Sequence, residues 1–247
     1  MLKVFIGYDP REAVAYHALV QSIVETSSMP VSITPLALQH LEAVLTRPRD
    51  PLQSTDFAFS RFLVPYLCDY KGWAIFMDCD MIVTRDLAAI WELKDDSFAV
   101  QVVKHAHKPA ESHKFLGQPQ TRYEKKNWSS VMLFNNARCT ALTPDYVNQA
   151  SGLELHQFKW LAHDGEIGSL PPGCNHLVGY DEHSEMISVL HYTTGGPYFE
   201  KYRDTEYADI WFDVWSRAAY AQQQNQPDGG PHENYEGQKH EDRKLRA

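Results

Sequence analysis

Positive charge is what this chain is short of. Lysine and arginine total 23 against 32 aspartates and glutamates, leaving a formal charge of −9 over 247 residues. A sequence-independent nucleic-acid binder needs a basic face, so nucleic acid is excluded as a partner. Cysteine is sparse as well. Cys68, Cys79, Cys139 and Cys174 form no C-x-x-C pair and no zinc-like spacing, which reads as reduced, buried thiols in a cytoplasmic protein. No apolar run approaches the roughly 20 residues of a membrane-crossing helix, so only a peripheral membrane contact is left open. The chain opens on strand-like Val4-Phe5-Ile6 without the sections of a signal peptide. No G-x-G-x-x-G follows that opening strand, and the dinucleotide-binding fingerprint is therefore absent.

What is present is an alternation of strand and helix signals. Hydrophobic residues make up 43% of the chain, enough for the core of one α/β domain. Asp9, Pro10 and Glu12 read as N-cap, first-turn proline and acid of a helix. Tyr16, Leu19, Val20 and Ile23 then share one helical face. A second strand is expected over 31–38, a helix interrupted or bent at Pro65 over 57–70, a short helix over 87–93 and a strand over 98–103. Further strands are expected over 131–134 and 187–190, and a closing helix over 206–220. Residues 104–127 are polar and carry His105, His107 and His113, the pattern of a long loop. From Gln222 the composition shifts to Gln, Asn, Gly, Pro and mixed charge, which predicts a disordered tail over 222–247. The expected architecture is a single domain over residues 1–221 with a mixed central sheet.

The chemistry concentrates where one apolar run stops on two acids. Trp73-Ala74-Ile75-Phe76-Met77 reads as a central strand covered on both faces, and it ends at Asp78-Cys79-Asp80. Ligands of open α/β sheets bind beyond the carboxyl ends of strands. Two carboxylates one residue apart suit a hard divalent ion whose shell is completed by phosphate and water. Strand alternation places Asp78 and Asp80 on one side and Cys79 on the other. His191 ends another apolar run and precedes Gly195-Gly196, consistent with a metal ligand beside a loop that approaches a phosphate. Gly7, Tyr8 and Asp9 follow the first strand, where a base or ribose commonly lies, although Asp9 also has its N-cap role. Arg61 stands among aromatics before the acidic strand, placed either to reach phosphate oxygens or to extend to solvent. Asp164 and Glu166 form a second carboxylate pair, with solvated acids at a helix end as the plainer reading.

Four pieces in order carry a resemblance: 5–9 (Phe-Ile-Gly-Tyr-Asp), 59–62 (Phe-Ser-Arg-Phe) ahead of 75–83 (Ile-Phe-Met-Asp-Cys-Asp-Met-Ile-Val), 129–135 (Ser-Ser-Val-Met-Leu-Phe-Asn), and His191 followed by Gly195-Gly196-Pro197-Tyr198. Together they resemble the family-eight retaining glycosyltransferases of GT-A fold, of the glycogenin and bacterial lipooligosaccharide galactosyltransferase type. The resemblance implies a Rossmann-like nucleotide-diphospho-sugar transferase domain that moves a sugar from a UDP-sugar with retention. It implies Asp78, Asp80 and His191 as ligands of Mn²⁺ or Mg²⁺. Gly7, Tyr8, Asp9 and Gly195 would contact the nucleotide, Arg61 the diphosphate or donor sugar, and Asp164 the donor hydroxyls or the acceptor. The acceptor would be a glycan, a lipid-linked sugar or a small molecule.

Two positions depart from that family. Gly196 stands where a lysine usually serves the leaving phosphate, with Lys201 or Arg203 as substitutes. Asp164-Gly165-Glu166 stands where Asp-Gln-Asp is usual, which removes an amide nucleophile. Two other readings are weighed. A haloacid-dehalogenase-type phosphatase would use Asp78 as nucleophile, but Met81-Ile82 replaces its usual Gly-Thr or Val-Thr continuation. A nucleotide-sugar-binding subunit without turnover would keep the fold and lose the chemistry.

Overall fold

A computed structural model describes residues 1–50, 53–106, 115–117 and 123–220. The expected tail and the expected loop histidines His107 and His113 lie outside the described residues. Strands β1 (Leu2–Gly7), β2 (Val31–Leu36), β3 (Trp73–Met77), β4 (Met81–Val83), β5 (Val100–Val102), β6 (Val131–Asn135), β7 (Ile167–Ser169), β8 (His176–Leu177) and β9 (Val189–His191) form two sheets. The helices are α1 (Ala13–Thr26), α2 (Val64–Leu67), α3 (Ala88–Trp91), α4 (Pro144–Gln149), α5 (Gly152–His156) and α6 (Ala208–Ala219), joined by several short 3₁₀ turns.

The larger sheet runs β2-β1-β3-β6-β5-β7. β1 lies parallel to β2 and β3, β6 runs antiparallel to β3 and β5, and β7 closes the far edge parallel to β5. The sheet is mixed, as expected. β3 lies inside it because its residues tolerate burial on both faces: Ala74, Ile75, Phe76 and Met77 are fully buried. Each of the three larger side chains contributes about 1.5–3 kcal/mol by leaving water.

Three residues, Asp78 to Asp80, separate the end of β3 from β4 of the smaller sheet, β4-β9-β8, so the acidic segment is the crossing between the two sheets. β4 pairs antiparallel with β9, and Met81 stands opposite His191. Helix α1 ties this sheet to the rest. The Ser22 hydroxyl accepts the Val83 N–H at 3.0 Å and donates to the Leu19 carbonyl at 2.8 Å. A second core of Ala18, Ile82, Leu190, Tyr192, Trp211 and Val214 joins α1, the small sheet and α6.

One local expectation is corrected and two short strands are added. Segment 57–70 is a series of turns, a 3₁₀ turn over Ser60–Leu63 and the single turn α2, rather than a helix interrupted or bent at Pro65. Pro65 sits in the first turn of α2, where its missing N–H is not needed. Strands β7 and β8 are too short, at three and two residues, to show a period in the sequence.

At the end of β1 a glycine is needed for space. A Cβ on Gly7 would lie 2.3 Å from the Phe57 ring, which packs over the strand end. Gly7→Ala is expected to lower stability by about 1–3 kcal/mol through overpacking, read from urea unfolding. An unchanged midpoint would show that Phe57 can move aside without loss.

Candidate functional site

The two aspartates and the histidine converge. One ligand atom from each of Asp78, Asp80 and His191 lies within 4.8 Å of the others. Both aspartates and His191 line one cavity of ≈ 420 Å³, whereas Cys79 between them is fully buried and does not line it. The alternation expected from sequence therefore holds across the crossing. Backbone bonds fix the pair at each end: the Asp78 N–H donates to the Ser130 carbonyl and the Tyr192 N–H to the Asp80 carbonyl, both at 2.9 Å.

His191 is oriented by a residue without any sequence signal. Asn175 donates through Nδ2 to Ser130 Oγ (2.8 Å) and to the Asn127 carbonyl (3.3 Å), so its Oδ1 accepts from His191 Nδ1 at 2.9 Å. Nε2, which must be unprotonated to ligate a metal, then faces Asp80 Oδ1 at 3.4 Å. Two electron-pair donors facing each other suit a shared cation, and two carboxylates with one imidazole are a fitting donor set for Mn²⁺ or Mg²⁺. Buried Asn175 supplies the outer hydrogen bond that fixes a ligand's tautomer.

Arg61 is 5% exposed and does not extend to solvent. Its Nη1 reaches Asp78 Oδ1 at 2.8 Å and the Ser129 carbonyl at 2.9 Å, with the guanidinium 5.2 Å from the Phe57 ring centre and 5.0 Å from that of Phe76. It lines the cavity beside the aspartates.

Asp9 is fully buried and satisfied inside the protein. Its carboxylate accepts from the Arg11 backbone and side chain and from the Asp56 N–H at 3.1 Å, while Arg11 also donates to the Ser54 carbonyl. Burial alone would push this carboxyl up, but the Arg11 and Asp56 hydrogen bonds override it and hold it below its usual range. Ser54 and Thr55 line the cavity, so Asp9 shapes the rim through Arg11. The N-cap role accounts for its geometry.

Other expected residues stand apart from the cavity lining. Tyr8 is half-buried, edge-on to Tyr16 at 5.4 Å. Gly7 accommodates Phe57. Gly195 is buried at φ +150°, a conformation that favours glycine. The Asp164 side chain is 72% exposed and accepts from Lys125 Nζ at 2.6 Å. Gly196, which stands in the lysine's place, is closely packed. A Cβ there would lie 2.2 Å from the Tyr198 ring, whose hydroxyl donates to buried Glu12 at 2.6 Å. Lys201 lies over Tyr202 and Arg203 over Phe212, and neither lines the cavity. Lys126 does, 4.8 Å from the Tyr123 ring centre. Tyr123 is a further lining residue, its hydroxyl pushed up to about 12 chiefly by burial. Sequence reading missed Asn175, Tyr123, Lys126 and His156 as cavity or support residues, because each stands outside a recognisable motif.

The family model for glycosyl transferase family 8 matches residues 11–148. Protein CDI of Arabidopsis thaliana is 43% identical over 218 residues, covering 85% of this chain and 84% of that protein. Among solved structures, the apo bifunctional glycosyltransferase WbbM superposes with a TM-score of 0.61 at 16% identity, covering 87% of this chain. This chain spans 49% of the WbbM chain. The galactosyltransferase LgtC, in complex with donor and acceptor sugar analogues, gives 0.54 at 12% identity over 90% of this chain and 98% of that one. At such identities the likeness is one of fold, the GT-A fold.

Two outcomes are expected. Asn175→Ala should weaken Mn²⁺ binding about 10–100-fold by releasing the His191 ring, measured by calorimetric titration; unchanged affinity would remove Asn175 from the site. A depressed carboxyl stabilises above its unfolded value and stops doing so as pH falls through the folded one. Asp9→Asn should therefore destabilise the protein at pH 7, with the deficit shrinking as pH drops below about 4 in urea unfolding. A deficit independent of pH would contradict the ion-pair account.

Proposed function

The chain belongs to glycosyl transferase family 8, and from that membership we propose a metal-dependent hexosyl transfer from a UDP-sugar, with retention, to a glycan, lipid-linked or small-molecule hydroxyl. The chain is a glycosyltransferase acting on a nucleotide-sugar donor; the ion, the nucleotide and the stereochemistry are our reading. The observation that carries it is the convergence of Asp78, Asp80 and His191 in the wall of a cavity that also presents Arg61. Residues 1–221 would constitute the transferase domain, and a cytoplasmic location is consistent with four free, buried cysteines.

Breaking a bond from sugar to diphosphate requires that charge on the departing oxygens be stabilised. A divalent ion held by Asp78, Asp80 and His191 would supply Lewis-acid stabilisation there. The chain's own groups do the rest. Asn175 keeps Nε2 of His191 directed at Asp80. Arg61, on the cavity wall, offers a fork-shaped donor to phosphate or sugar oxygens. Lys126 brings a second positive charge to the wall, a substitute for the lysine that is absent at Gly196. Tyr8 and the backbone at Gly7 and Gly195 would meet the nucleotide, and Asp9 would hold the rim from behind. Asp164, paired with Lys125 outside the cavity lining, would face acceptor hydroxyls. The phosphatase reading of Asp78 finds no support in the family match.

The test is UDP release from a panel of UDP-sugars, with Mn²⁺ and with chelator. Metal-dependent hydrolysis of one donor is expected, with Asp80→Ala losing Mn²⁺-dependent UDP binding while melting as the wild type does. Equal release in chelator, or unchanged UDP affinity in Asp80→Ala, would defeat the metal assignment.

A further inference from the structure

Beside the carboxylates, the cavity wall holds a second polar constellation. Ser129 Oγ lies 2.7 Å from His156 Nδ1, and His156 Nε2 lies 3.1 Å from the Ala58 carbonyl oxygen. A carbonyl oxygen only accepts, so in the neutral ring Nε2 carries the proton and Nδ1 presents its lone pair. Ser129 is therefore the donor to Nδ1. The ring is held edge-on to Phe62 at 5.1 Å, with Tyr123 at 6.2 Å. A hydroxyl, a base and an acceptor that orients the base, each within hydrogen-bond reach of the next, form the arrangement by which enzymes move a proton off a hydroxyl.

The location matters as much as the geometry. Ser129, His156 and Ala58 line the same cavity as Asp78 and Asp80. The Ser129 carbonyl accepts from Arg61 Nη1, whose other contact is Asp78. One arginine thus links the Ser129 backbone to the carboxylates.

We propose that Ser129 and His156 form the proton-accepting pair for the incoming acceptor hydroxyl. The inference rests on the transferase reading above. The acceptor O–H gives its proton to Ser129 Oγ while Ser129 gives its own to His156 Nδ1. The acceptor oxygen bonds to the anomeric carbon, the bond from that carbon to the diphosphate breaks, and its electron pair leaves with the diphosphate. The Ala58 carbonyl accepts from Nε2–H throughout and stabilises the transient imidazolium. Direct attack by Ser129 is the poorer use of the same pair. A glycosyl-serine is an acetal with an alkoxide leaving group, whereas covalent glycosyl enzymes of the glycosidase kind use a carboxylate. Ser129 is the group that touches the acceptor; His156 acts through it.

The test compares the full-length wild type with Ser129→Ala and His156→Ala on the UDP-sugar that the wild type hydrolyses, with Mn²⁺. Water must lose a proton to react, and azide has none to lose. Both variants should release UDP to water about 100-fold more slowly. Added sodium azide should restore release and form the glycosyl azide at near the wild-type rate, with UDP affinity unchanged. Equal losses with azide, unchanged hydrolysis in both variants, or one hexose found on Ser129 by mass spectrometry would overturn the pair. A second readout needs no turnover. Nitrogen NMR of the neutral His156 ring should show Nε2 protonated and Nδ1 bare, with the Nδ1 signal moving in Ser129→Ala. A proton on Nδ1 would refute this pair alone, whereas a wild type that cleaves no UDP-sugar would count against the transferase reading.

Discussion

The structure depends on one register: Met81 paired with His191 across β4 and β9. Strand β3 ends on Asp78 in the large sheet, and β4 begins after Asp80 in the small one. Without a partner for β4, the segment between them would be a loop with two acids. The pairing puts His191 next to Asp80, and Asn175, just before β8, then reaches the far side of the imidazole. Two neighbouring aspartates and a histidine more than a hundred residues away become one donor set because two short strands share a ladder.

What surrounds that register explains its rigidity. β3 is buried on both faces, so its end cannot move without opening the core. α1 grips β4 through Ser22, and α6 closes the second core over β9. Arg61 is held between Asp78, the Ser129 carbonyl and two aromatic rings, far from the freedom of a surface arginine. A site of charged groups is fixed by apolar packing behind it, which is what electrostatic stabilisation of a leaving group requires.

Much of this was legible in the sequence, for identifiable reasons. The β3 run and its terminal acids stand out because a strand buried on both faces leaves a continuous apolar signature. His191 stands out because an apolar run and a glycine pair bracket it. The small sheet was not legible, since strands of two or three residues show no period. Asn175 and His156 were not legible because their roles arise from partners 16 and 27 residues away rather than from a local pattern. At Asp9 the N-cap role legible in the sequence is the one the geometry shows, with its carboxylate held by Arg11 and the Asp56 backbone.

The central claim is that Asp78, Asp80 and His191 jointly hold one divalent ion for the nucleotide-sugar donor. Its most direct test is an anomalous-scattering crystal structure of the protein with Mn²⁺ and UDP. The account predicts one manganese peak within coordinating distance of all three side chains and of the diphosphate. A peak elsewhere, or UDP bound with no manganese beside these residues, would contradict it.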